Sequence, residues 1–221
     1  MADTLPILIF DFDGTLIESA PELQHCLNTI LAEHGRPALP VEAVKKMIGN
    51  GVKKLVERGF EATGGAPADF DATVERFMEH YHAAPVEDTL YDGVRPTLDL
   101  LRKAGHRMAI CTNKPYQATM RILNGLEIAG FFEAVAGGDS FSVRKPDPGH
   151  LLGVLEILGT TPSRAIMIGD SPNDIGCALA AKVRSVAVTY GYSNVPHAEL
   201  GADVLIDRFD ALPSALTELS T

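Results

Sequence analysis

Two aspartates, one residue apart, close the first apolar run of the chain. In LPILIFDFDGTL (residues 5–16), Asp11 and Asp13 follow a β-rich apolar segment, residues 5–10, that reads as a fully buried strand ending in a polar turn. At an extended strand end, side chains at i and i+2 point the same way. Both carboxylates can therefore face one ligand while Phe12 turns into the core. Gly14 permits a tight turn that leaves backbone amides for an anion. Carboxylates this close repel when both are ionised, which raises the pKa of one unless a cation intervenes. A metal on Asp11 beside a partly protonated Asp13 resolves the conflict and supplies a nucleophile next to a general acid.

Other polar groups stand where later strands are expected to end. Thr112 and Asn113 follow RMAIC (107–111), Asp170 and Asp174 follow AIMIG (165–169), and Lys145 lies in a loop. In an open parallel sheet the ligand occupies the crevice outside these carboxyl ends, so topology alone gathers residues far apart in sequence. Lys114, beside Asn113, is a second cation that can serve the same anion as Lys145. Asp174 has a local alternative, capping the helix that follows it. His80 and His82 are two apart on an expected helix and do not face the same way, which makes them poor joint metal ligands.

The elements that must position these groups alternate. Strand-like runs recur at 107–111, 165–168, 185–188 and 203–206, with helical periodicity at 94–104, 116–126, 147–158, 173–181 and 211–219. This pattern predicts an α/β fold, a doubly wound, mostly parallel Rossmann-like sheet covered on both faces. From Ser19 the alternation breaks into helical segments separated by Gly- or Pro-bearing turns. Ser19, Pro21 and Gly35 supply start and stop signals for the first. A small helical cap over residues 19–87, inserted into a core of residues 1–18 and 88–221, is the expected division, with hinges near Glu18 and near residues 85–92. Within the cap, Gly49-Asn50-Gly51 opens a helix and offers amides to an anion, with Lys53, Lys54 and Arg58 following.

Composition narrows the partners. With 46% hydrophobic and 22% charged residues, the 221-residue chain is that of an ordinary globular protein with enough length for a core plus an insertion. A formal net charge of −10 repels nucleic acid but leaves small phosphates open where a metal and a few cations reverse the field locally. No apolar run reaches the roughly 18 residues of a membrane span. The first residues lack a secretory pattern, so the cytoplasm is the expected location. Cys26, Cys111 and Cys177 are scattered and odd in number, which fits buried thiols rather than a disulfide framework. Monomer and homodimer both remain open.

Taken together, DFDGTL (11–16), ICTN (110–113), Lys145-Pro146 and IGDSPND (168–174) resemble the haloacid dehalogenase superfamily along essentially the whole chain. The resemblance implies a Mg²⁺ cofactor and an aspartyl-phosphate intermediate. It makes Asp11 the nucleophile and a metal ligand, and Asp13 the acid–base, its backbone carbonyl reaching the metal. It makes Thr112 and Asn113 phosphoryl-binding, Lys145 the neutralising cation in preference to Lys114, Asp170 a direct metal ligand and Asp174 a metal-site residue that orients Asp170 or a metal-bound water. Gly14, Asn113, Asn50 and Arg58 are the expected substrate-binding positions. Asp13 argues against dehalogenase and phosphonatase chemistry, whose members lack a carboxylate there. LIESAPEL (16–23), MIGNGVKKLVERG (47–59) and GGDSFSVRKPDP (137–148) resemble bacterial phosphoglycolate phosphatases. The expected activity is hydrolysis of a small phosphorylated metabolite, with a sugar phosphate, pyrophosphate or mutase chemistry as the alternative. A phosphate-accepting receiver module is disfavoured because it is about half this length and has no cap.

Overall fold

In the computed structural model, which describes residues 5–219, six parallel strands form one sheet. Met1–Thr4, part of the expected core segment, and residues 220 and 221 lie outside the described residues. The strands are β1 (Ile7–Phe10), β4 (Met108–Cys111), β5 (Ala134–Ala136), β6 (Ala165–Gly169), β7 (Arg184–Val188) and β8 (Val204–Ile206), in the order β5-β4-β1-β6-β7-β8. The chain works outward from central β1 on one side, then returns to its other side. The carboxyl end of β1 is therefore the point where the winding reverses and a crevice opens.

Both sheet faces are covered, as continuous apolar strands require. Leu8 and Phe10 of β1 point into one cluster with α5 (Val94–Ala104), α6 (Tyr116–Gly125) and α9 (Leu212–Leu219). Ile7 and Ile9 point into the opposite cluster with α7 (Pro148–Ile157) and α8 (Pro172–Ala181). Cys111 and Cys177 are buried there, and Cys26 is buried in the part of the first cluster that the helical insertion supplies, all as free thiols. Strand β5 was not expected from the sequence. Three residues on a sheet edge, only one of them fully buried, carry too little pattern to stand out.

Four helices, α1 (Ala20–Glu33), α2 (Val41–Lys45), α3 (Val52–Thr63) and α4 (Phe70–Ala83), interrupt the sheet between β1 and β4. The chain leaves and re-enters through two strands of two residues each, β2 (Ile17–Glu18) and β3 (Thr89–Leu90), paired antiparallel. The segments expected to be hinges thus form a paired ribbon. Leu23, Leu27, Val56, Phe60, Phe77 and Tyr81 from the helical insertion join the same apolar cluster as Phe10 and Phe12.

Candidate active site

Asp11 leaves β1 with its amide still bonded to the Ile168 carbonyl (2.9 Å), so the end of the sheet sets its position. Phe12 is fully buried, as alternation requires, and Asp13 returns to the same side as Asp11. Gly14 has φ +81 and turns the chain sharply. Its amide, expected to be free for an anion, instead donates to the Ile17 carbonyl (3.0 Å), because the loop curls back on itself to start β2.

Beneath this turn lies a buried ionic cluster. Carboxylate oxygens of Asp11, Asp170 and Asp174 all fall within 4.8 Å of one another. Lys145, itself buried, places its ammonium 2.8 Å from Asp11 Oδ1 and 2.5 Å from Asp174 Oδ1. Burial first, and then Asp174, push Asp11 up to about 6 against the opposing pull of Lys145. Asp170 is driven well above the usual carboxylate range by burial, with Asp174 and Asp11 adding to it. Three crowded carboxylates with one lysine among them form an electron-rich oxygen donor set, which suits a hard divalent cation such as Mg²⁺.

Asp174 serves two elements at once. Its Oδ2 accepts from the Ser171 amide (3.0 Å) and hydroxyl (2.6 Å) at the start of α8, while Oδ1 meets Lys145. Asp174 therefore caps α8, as the local alternative expected, and at the same time holds Lys145 in the cluster. Asp170 is held by the Thr15 hydroxyl (3.0 Å) and the Tyr192 amide (2.6 Å). The Tyr192 hydroxyl in turn accepts from the Ser19 amide (2.8 Å) at the entry to α1.

The two lysines divide between the two aspartates of the first motif. Lys145 belongs to Asp11, whereas Lys114 Nζ lies 2.7 Å from Asp13 Oδ1. Asn113 donates from Nδ2 to the carbonyls of Lys145 and Gly49, each at 2.9 Å, and so ties the lysine loop to the helical insertion. His150, which no sequence motif flagged, accepts the Lys145 amide at Nδ1 (3.3 Å) and donates from Nε2 to the Gly137 carbonyl (3.1 Å). Burial, reinforced by Lys145, lowers its pKa to about 4 and keeps it neutral for that arrangement.

A cavity opens above the cluster, between the sheet and the helical insertion. Asp11, Asp13, Thr112, Asn113 and Lys114 line it from the sheet, and Gly49, Gly51, Leu55 and Tyr81 from the helical insertion. The Gly49 carbonyl also accepts from Asn173 (3.2 Å), and Asn50 Nδ2 donates to Asn173 Oδ1 (3.2 Å), so the turn is seated on the core. Arg58 donates to the Met47 carbonyl (2.8 Å), Lys53 pairs with Asp71 and Lys54 with Glu57. None of these three cations lines the cavity. His80 meets Glu33 (2.9 Å) on the helix surface, away from any carboxylate cluster described here.

The model of the haloacid dehalogenase-like hydrolases matches residues 8–188, from the first strand through β7. The chain belongs to that hydrolase family. It is 42% identical over 216 residues to a phosphoglycolate phosphatase of Agrobacterium fabrum, covering 96% of this chain and 93% of the relative. It is 40% identical over 218 residues to one of Caulobacter vibrioides, covering 97% and 92%. Among solved structures, a predicted phosphoglycolate phosphatase of Haemophilus somnus superposes with a TM-score of 0.90 at 29% identity, covering 97% and 99%. The helical insertion is included in that superposition, so the likeness to this family member extends to the roof of the cavity. No helix among the described residues is long and apolar enough to cross a membrane.

Proposed function

We propose that this hydrolase cleaves small phosphomonoesters through a phosphoryl group carried on Asp11, requires Mg²⁺, and takes 2-phosphoglycolate as its substrate. The observation that carries the reaction is the separation of two adjacent carboxylates into different settings. Asp11 sits in the ionic cluster against Lys145, and Asp13 faces the same cavity against Lys114. Two neighbouring carboxylates in unlike surroundings can take unlike roles.

In the first half-reaction an Asp11 oxygen attacks phosphorus. The ester P–O bond breaks, and the departing alkoxide takes its proton from Asp13. In the second, Asp13 removes a proton from water as the water oxygen attacks the same phosphorus, and the bond to Asp11 breaks to release inorganic phosphate. Thr112 donates to a phosphoryl oxygen and Lys145 offsets the charge on Asp11 throughout. The Asp11 and Asp170 carboxylates and the Asp13 carbonyl would hold Mg²⁺, with Asp174 orienting Asp170. The ion supplies charge neutralisation at the phosphoryl oxygens.

The substrate assignment draws on the relatives named above, matched at about two residues in five over nearly their whole length. Asp11→Asn should lower kcat/KM for 2-phosphoglycolate by at least ~10³-fold, and acid-quenched wild-type turnover should leave phosphate on Asp11. Full activity of that variant refutes the mechanism. A hexose phosphate or pyrophosphate preferred tenfold over 2-phosphoglycolate refutes the substrate and leaves the phosphatase.

A further inference from the structure

A substrate that carries a carboxylate as well as a phosphate needs two anion sites, and the cluster around Asp11 accounts for only one. The second has to face the cavity. Among the described residues lining it, Lys114 is the one cation. Lys145 is buried below, between Asp11 and Asp174, and the lysines and arginine of α3 make their contacts elsewhere.

Lys114 is placed to take an anion. It lies two residues after Thr112 on the loop that follows β4, and its amide donates to Thr112 Oγ1 (3.3 Å). One short segment therefore presents both the phosphoryl-binding hydroxyl and the ammonium. The lysine side chain is 2% exposed and its Nζ donates to Asp13 Oδ1. An ammonium has three N–H donors, and that contact uses one. The Tyr81 ring of α4 lies 5.2 Å from the same Nζ. The Tyr81 hydroxyl is buried beside that ammonium, and its own O–H has no acceptor among the described residues, an arrangement that costs free energy unless a ligand completes it. Leu23, Ile48, Val52 and Leu55 complete the walls, so an ion pair formed here is screened little by water.

We infer that Lys114 and Tyr81 form the subsite that selects substrates by a carboxylate on the leaving group, with the Lys114 ammonium pairing with it and the Tyr81 hydroxyl donating to it. Tyr81 belongs to the helical insertion and Lys114 to the sheet domain, so carboxylate recognition spans the two. A neutral alcohol in the same place leaves the ammonium and hydroxyl incompletely partnered, which disfavours it. This inference rests on the phosphoglycolate reading above.

The test compares 2-phosphoglycolate with ethyl phosphate, which has a leaving group of similar size and no carboxylate. Wild type should favour 2-phosphoglycolate by at least tenfold in kcat/KM; equal turnover refutes the substrate reading and this inference with it. Given that preference, Lys114→Met should lower kcat/KM for 2-phosphoglycolate about a hundredfold more than for ethyl phosphate, largely through KM. Tyr81→Phe, which removes only the hydroxyl and leaves Asp13 its lysine, should give about a tenfold selective loss. Parallel losses on both substrates in both variants would overturn the subsite and leave the phosphoglycolate reading standing, with Lys114 acting only on Asp13.

Discussion

Asp174 Oδ1 stands 2.5 Å from Lys145 Nζ, and the same ammonium lies 2.8 Å from Asp11 Oδ1, so one buried lysine bridges a carboxylate at a strand end and one in the first turn of a helix. The bridge joins β1 to the start of α8 and fixes the floor of the site. It also crowds negative charge, and burial first, with Asp174 adding to it, raises the pKa of Asp11.

Removing that lysine leaves two buried carboxylates facing each other. Breaking a buried ion pair on one side costs about 3–5 kcal/mol. Lys145→Met should lower Tm by about 10 °C at pH 8 in the presence of a chelator, and by much less at pH 5, where protonation relieves the repulsion. Thermal denaturation at the two pH values decides it. An equal loss at both would assign the effect to packing rather than charge.

Metal binding should be visible without turnover. Because the cluster gains a cation only when folded, Mg²⁺ at a hundredfold excess over its Kd should stabilise the protein by about 2.7 kcal/mol. Gly191→Ala provides the control. A Cβ there would stand 2.3 Å from Asp170 Cβ, 2.5 Å from its Oδ2 and 2.5 Å from the Gly14 carbonyl, so Asp170 and the turn at Gly14 must give way. The variant should weaken Mg²⁺ binding by about tenfold or more in calorimetry. Unchanged affinity would remove Asp170 from the ligand set.

A second carboxyl pair, away from the metal cluster, makes stability depend on pH. Asp88 is buried beside β3 against the Glu22 carboxyl, and no cation or amide donates to either of its oxygens among the described residues. Burial, and then the Glu22 carboxyl facing it, push Asp88 from 3.8 up to about 8. The folded state therefore holds a proton that the unfolded state has lost. Its contribution to stability is complete below pH 3.8 and is lost progressively as pH rises to about 8. Asp88→Asn should raise Tm at pH 8 by about 3 °C or more and change it little at pH 4. The same shift at both pH values would show that ionisation of Asp88 is not the cause.

The sequence by itself determined the alternating strands and helices, the helical interruption, and the strand-end positions of Asp11, Asp13, Thr112 and Asp170. These are local properties. An apolar run ending in aspartate declares a buried strand with a carboxylate at its end whatever the rest of the chain does. The edge strand β5 and the ribbon of β2 and β3 stayed hidden because two or three residues carry no periodicity. The family motifs pointed to Lys145 for Asp11, but the pairing of Lys114 with Asp13 was decided only in three dimensions. Lys145 and Asp11 are 134 residues apart, and Lys114 and Asp13 are 101 apart. Local pattern does not encode such pairings; the winding of the sheet around β1 brings them about. The same holds for His150 beneath Lys145, for Tyr192 against Asp170, and for the roof over the cavity. A basic run after Gly49-Asn50-Gly51 pointed to Arg58, but helix packing turned that side chain onto the Met47 carbonyl and left Lys114 and Tyr81 facing the cavity.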